Sequence, residues 1–258
     1  MKMKNIILTL SLCFVIGVCS IGQISVTPVK TPTIFAYGGA MNKIFIKYVI
    51  SLTGKTNPKI CFLPTAGADN QYEINYWFKL CSKLPVKASV QRAFVVSTPG
   101  QPDFEENLLQ MDAIIVGGGN TLNMMGIWKA QGIDTVLLKA YQKGIILAGG
   151  SAGSLCWFKS GLSDSRPKEL SIVDCLGFID ASHCPHFTSE TARKPLYEKF
   201  ILEKKLLPGY AIDDMAGVLF QNGKFIKALT INENNNVYYI SIKNGAINEE
   251  KLETEIIQ

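Results

Sequence analysis

Gly144-Ile145-Ile146-Leu147-Ala148-Gly149-Gly150-Ser151-Ala152-Gly153-Ser154-Leu155-Cys156-Trp157-Phe158 reads as an apolar strand, then Gly-x-Ser-x-Gly, then the start of a helix. That is the setting a nucleophile elbow requires. A sharp strand-to-helix turn strains the backbone at Ser151. Small neighbours at Gly149, Ala152 and Gly153 avoid clashes there, and the hydroxyl is presented at the carboxyl edge of a sheet. The N–H of Ala152 lies at a helix N-terminus, where it can face a developing oxyanion. Glycine and serine are common, so a plain Gly-rich turn is the competing reading until the surroundings are considered.

Upstream, Ala113-Ile114-Ile115-Val116-Gly117-Gly118-Gly119-Asn120-Thr121 is a second strand ending in glycines. In a parallel sheet both glycine turns fall on the same edge, so an N–H at Gly118 or Gly119 can supply a second oxyanion donor. Phosphate binding is disfavoured, because neither Gly-x-Gly-x-x-Gly nor a Walker lysine is present.

Working outward, short apolar runs alternate with longer amphipathic ones, the rhythm of a parallel sheet with crossover helices. Strands are expected at Thr33 to Tyr37, Ile60 to Pro64, Val90 to Val96, Ala113 to Val116 and Ile145 to Ala148. Helices are expected at Asn42 to Leu52, Asn70 to Leu80 and Thr121 to Lys143, the last broken near Gly132. Further strands at Ser171 to Ile179 and Tyr210 to Ile212 flank a helix from Glu190 to Lys205. Asn222-Gly223 and Asn244-Gly245 mark hairpin turns. The expectation is an α/β fold, a doubly wound, mostly parallel sheet with a C-terminal antiparallel extension.

The whole chain has 258 residues, 47% hydrophobic and 18% charged, which excludes disorder and coiled coil. Its net charge of +5 comes from scattered lysines and only three arginines, Arg92, Arg166 and Arg193. That distribution is a solvated surface, with no nucleic-acid footprint.

A serine hydroxyl needs a base, and the chain has two histidines, both in Ser182-His183-Cys184-Pro185-His186-Phe187. Position alone favours neither. A zinc site built on His183, Cys184 and His186 lacks the usual companion ligands. The acid that orients the base can be Asp213 or Asp214, in Ala211-Ile212-Asp213-Asp214, or Asp164 in a loop nearer the serine. Adjacent carboxylates on an extended segment point opposite ways, so one of Asp213 and Asp214 can serve the site while the other faces elsewhere.

Gly117-Gly118-Gly119-Asn120-Thr121, Gly149-Gly150-Ser151-Ala152-Gly153, Cys184-Pro185-His186-Phe187 and Ala211-Ile212-Asp213-Asp214, in this order and spacing, resemble the peptidase E family of serine peptidases. The similarity spans roughly Ile34 to Leu219. It implies a class I glutamine-amidotransferase-like fold in which serine replaces the usual cysteine. It also implies hydrolysis of short peptides, often with N-terminal Asp, and no metal or organic cofactor. The family's nucleophile falls on Ser151, its histidine on His186 and its acid on Asp214, where better-known members carry Glu. Its oxyanion donors fall on Gly118 and Ala152.

The resemblance also places arginines shortly after the catalytic histidine, which makes Arg193 the candidate for gripping a substrate carboxylate; a solvated helix residue paired with Glu190 is the alternative. Two rival functions are weighed. A cyanophycinase-like exopeptidase would cleave β-aspartyl-arginine links and accept a cationic side chain. A non-catalytic exported binding protein of the same fold would need no nucleophile, base and acid together. A homodimer is compatible with either reading.

At the N-terminus, Lys2 and Lys4 precede the apolar run Ile6 to Val18, too short to span a membrane and suited to a signal peptide. Residues 1–22 are therefore expected to be removed, leaving one exported domain at 23–258, periplasmic or secreted. Ile16-Gly17-Val18-Cys19 resembles a lipobox, so a lipid anchor at Cys19 is the second reading, and a buried N-terminal helix is the third. The remaining cysteines, Cys61, Cys81, Cys156, Cys175 and Cys184, are odd in number and irregularly spaced, which argues against a disulfide framework.

Overall fold

The computed structural model describes residues 31–258; the segment read as a signal peptide, Cys19 included, lies outside the described residues. In chain order the strands are β1 Thr33–Tyr37, β2 Lys59–Leu63, β3 Lys87–Val90, β4 Ala113–Val116, β5 Ile146–Gly150, β6 Phe158–Ser163 and β7 Ser171–Asp174. They continue with β8 Ile179–Cys184, β9 Gly209–Ile212, β10 Ala216–Gln221, β11 Lys224–Thr230, β12 Val237–Lys243, β13 Ala246–Lys251 and β14 Thr254–Ile256. The helices are α1 Lys43–Leu52, α2 Gln71–Cys81, α3 Phe104–Leu108, α4 Thr121–Gln131, α5 Ile133–Gln142, α6 Ala152–Leu155 and α7 Arg193–Leu202.

Eight strands form one sheet in the order β14-β11-β10-β1-β5-β4-β2-β3, and six form a second in the order β13-β12-β9-β8-β6-β7. Within the larger sheet β1, β5, β4, β2 and β3 run parallel, so the glycine turns after β4 and β5 emerge at the same edge. On its other side β1 pairs antiparallel with β10, and β10 turns into β11 at Asn222-Gly223. Asn222 and Gly223 have φ of 51° and 71°, and Asn244 and Gly245, which join β12 to β13, have 55° and 79°. Two consecutive positive φ values are what the tight hairpin turn needs.

Alternation along each strand divides the core between the two faces of the larger sheet. Ile34, Leu63, Val116 and Leu147 pack with Met124 and Trp128 of α4 and Leu137 of α5. Phe35, Phe62, Ile115 and Ala148 pack with Phe45 and Ile46 of α1 and Trp77 of α2. Strands covered on both faces are apolar at nearly every position, as Ala113 to Val116 illustrates. Asn42, Asn70 and Asn120 cap α1, α2 and α4, each side chain accepting a main-chain N–H of the first turn. Gly132, at φ 73°, ends α4 and separates it from α5, where the sequence places the break.

Two departures concern single elements. The helix opened by Ser151 lasts only four residues, and Phe158–Ser163 is already β6. That strand founds the second sheet, so the C-terminal strands are shared out, β10, β11 and β14 to the larger sheet and β12 and β13 to the smaller. The stretch Val90 to Val96 holds only the end of β3. Beyond Gln91, the N–H groups of Ala93 and Phe94 both donate to Asp69 Oδ2 at 2.7 Å, which leaves them no ladder partner. Among the described residues no helix is long and apolar enough to cross a membrane.

Candidate active site

Ser151 leaves β5 with φ 54° and ψ −119°, a conformation that costs a non-glycine residue on the order of 1–3 kcal/mol. Hydrogen bonds on both sides hold it there. Its N–H donates to Tyr37 O at 3.3 Å, and its carbonyl accepts from Ser154 N and Leu155 N at 3.0 Å each. The small neighbours matter for the reason the sequence suggests. A Cβ on Gly149 would collide with the Gly153 carbonyl, and one on Gly153 with the Val116 carbonyl.

His186 follows β8, also at φ 54°. Its Nε2 lies 2.8 Å from Ser151 Oγ and its Nδ1 lies 2.5 Å from Asp214 Oδ1. With Nδ1–H donating to the carboxylate, Nε2 presents its lone pair to the serine hydroxyl, the arrangement a general base needs. Asp214 follows β9, which runs parallel to β8. The larger sheet thus supplies Ser151 and the smaller sheet His186 and Asp214. The turn after β1 ties them together: Gly39 N–H donates to Asp214 O at 3.1 Å, and Gly38 N–H to Ala216 O at 3.0 Å.

The other candidate acids are occupied elsewhere. Asp213 points away from His186 and Ser151. Its Oδ1 accepts from Thr188 N at 3.2 Å and Thr188 Oγ1 at 2.8 Å, and its Oδ2 accepts from Asn236 N at 2.8 Å. Burial raises its carboxyl pKa, and these donors pull it partly back. Asp213 therefore clamps the segment after His186 to the acid's own loop. Asp164 is two-thirds exposed, and its nearest cation is Arg193, 3.9 Å away.

His183 is fully buried. Nδ1–H donates to Tyr210 O at 2.8 Å, Nε2 lies 2.8 Å from Ser154 Oγ, and the ring stacks on Phe158 with centroids 4.6 Å apart. Burial lowers its pKa to about 3, so it is a neutral core residue beneath the elbow. Gly118 adjoins the serine: a Cβ placed on it would lie 3.3 Å from Ser151 Cβ. Among the described residues the N–H groups of Gly118 and Ala152 make no main-chain hydrogen bond, which leaves both free to meet an oxyanion.

Arg193 is a correction. Its side chain is 2% exposed; Nε donates to Glu190 Oε2 at 2.6 Å and a terminal nitrogen to Leu162 O at 3.2 Å. It does not line the cavity beside the serine, because these internal acceptors draw it toward β6. That cavity, of about 310 Å³, opens on Gly118, Ser151 and His186 and is walled by Met41, Phe62, Glu73 and Tyr76. Glu73 and Tyr76 carry no signal in the sequence, since an acid three residues after a capping Asn reads as an ordinary helix start.

Among the described residues no cluster of His, Cys, Asp or Glu could hold a metal ion. The five cysteines among the described residues are unpaired, and burial pushes the Cys61, Cys81 and Cys184 thiols up to about 12, far from a reactive thiolate.

Residues 35–228 match the family model described as Peptidase family S51. Over 203 residues the chain is 35% identical to an uncharacterized peptidase, YgaJ, of Bacillus subtilis (strain 168), covering 79% of this chain and 86% of that one. Among solved structures it is similar to a Listeria monocytogenes EGD-e protein that carries a peptidase E designation, with TM-score 0.58, 20% identity and coverage of 78% of this chain and 100% of that one. It is also similar to a peptidase from an acI-B1 Actinobacterium, with TM-score 0.67, 16% identity and coverage of 89% and 97%. At those identities the two structures speak for the fold.

Proposed function

The chain belongs to the peptidase E family, Peptidase family S51, and from that premise we propose that this serine peptidase hydrolyses short peptides through a Ser151-His186-Asp214 triad. Ser151 Oγ attacks the scissile carbonyl carbon while His186 Nε2 takes its proton. The carbonyl oxygen becomes an oxyanion, met by the N–H groups of Gly118 and Ala152. The C–N bond then breaks, and the leaving amine carries off the proton held on His186. Water attacks the resulting acyl ester, giving its proton to Nε2, and Ser151 recovers a proton as the acid product departs. Asp214 holds the imidazole in one tautomer and stabilises the imidazolium throughout.

The observation that carries this reading is the unbroken pair of hydrogen bonds from Ser151 Oγ through His186 to Asp214. Its test is a dipeptide-library screen on the purified protein, with fluorophosphonate labelling of wild type and Ser151→Ala. Labelling that persists in the variant would remove Ser151 from the role. Preference for N-terminal Asp would call for a cation in the cavity, and among the described residues no lysine or arginine lines it. Export is part of the same proposal, resting on residues 1–22, and N-terminal sequencing of the protein recovered from cell fractions tests it.

A further inference from the structure

Glu73 lies in the third position of α2, after the capping Asn70. There its carboxylate would ordinarily fold back onto the N–H of the cap residue. Here Asn70 N–H donates instead to Gly67 O at 3.2 Å, and the carboxylate is released from capping. It lies over Gly67, where any Cβ would collide with it, so the absence of a side chain at residue 67 makes its berth. Oε2 is buried and has no hydrogen-bond partner. The same side chain lines the cavity that holds Ser151 and His186, whose other walls include the apolar Met41 and Phe62.

A carboxylate oxygen buried beside an apolar cavity without a partner is an unfavourable arrangement unless something positive arrives. Burial accordingly raises the Glu73 pKa. Among the described residues no lysine or arginine lines the cavity, which leaves the ligand to bring the partner. We propose that Glu73 is the specificity-determining residue of the site and receives a cationic group of the substrate, an ammonium or guanidinium close to the scissile bond. This rests on the peptidase reading given above and narrows it to peptides that carry such a group, either as the free N-terminal amine or as a Lys or Arg side chain.

Matched peptides test it on the whole protein. One arm compares a dipeptide with its Nα-acetylated form, and the other compares a Lys- or Arg-containing peptide with its Nε-acetyl-lysine or citrulline counterpart. In the wild type, neutralising the group should lower kcat/KM at least about tenfold in one of the arms, and that arm identifies the source of the cation. Glu73→Gln keeps shape and removes charge. It should collapse the ratio of kcat/KM for charged over neutral members by about thirtyfold or more, the scale for losing one partner of a desolvated charge pair. Equal turnover of charged and neutral members by the wild type would overturn the proposal whether or not the variant folds, as would an unchanged ratio in a folded Glu73→Gln. Failure of the wild type to take a fluorophosphonate label or to hydrolyse any member would overturn the peptidase reading, and this proposal with it.

Discussion

Ser151 and His186 both sit at positive φ, a backbone uncommon for any residue but glycine. Each is fixed by neighbours, so replacing its side chain should spare the fold. Ser151→Ala should lose about a million-fold in kcat, and His186→Ala nearly as much, because triad members act as a unit. Asp214→Asn should cost about four orders of magnitude, through the wrong tautomer. Circular dichroism beside the kinetics checks all three, and a severe Asp164→Asn with a mild Asp214→Asn would reassign the acid. Arg193→Met belongs to stability. It strands the Leu162 carbonyl and Glu190, but Glu190 stays half in water, so about 2 kcal/mol is expected, below the 3–5 of a fully buried pair. Urea unfolding measures it, and a variant as stable as wild type would contradict the structural role.

Glycines set how closely the elements around the site can meet. A Cβ on Gly39 would press on Asp214 Cα and Cβ at 2.8 and 2.9 Å, and the loop after β9 could yield only by carrying the acid away from His186. Gly39→Ala should therefore lower kcat by at least about a hundredfold, since a displacement near 1 Å costs that much, with little change in melting temperature. Retained kcat would mean that the loop absorbs the methyl elsewhere. At this scale the sequence is legible where local chemistry decides the outcome. Thr33 to Tyr37 and Ala113 to Val116 are strands as read, the Asn caps begin their helices, and Gly132 breaks one. It is illegible where a distant partner decides. Phe158 to Ser163 follows a helix start without a turn signal and becomes a strand because β8 and β7 lie beside it. Ala93 and Phe94 leave the ladder because Asp69 reaches them from another loop. For the site, the motif marks the serine, whereas His183 and His186 look alike until the resemblance distinguishes them. Glu73 has no mark at all, because its meaning lies in the cavity around it.

Taken whole, the molecule carries in the buried His183 a titrating group that couples folding to pH. His183 is neutral in the folded core, with a pKa lowered to about 3, against about 6.5 for a free histidine. Between those values the unfolded chain binds a proton that the folded one does not, so the contribution is fully present above about 6.5 and is lost as pH falls toward 3. The stability advantage of wild type over His183→Gln should shrink by up to about 1.4 kcal/mol per pH unit through that window. Urea titrations at pH 7, 5 and 4 measure it, and parallel curves would rule it out.

The division of the proposed triad between two sheets also orders its appearance in time. A polypeptide leaves the ribosome N-terminus first, and its domains fold as their parts become available. Ser151 emerges before His186, and His186 before Asp214. The turn after β1 gains the partners that hold the acid's loop only once Asp214 and Ala216 have been synthesised. Until then the growing chain carries a hydroxyl with no base to activate it. A peptidase wired this way would stay silent until the loop carrying Asp214 has been made.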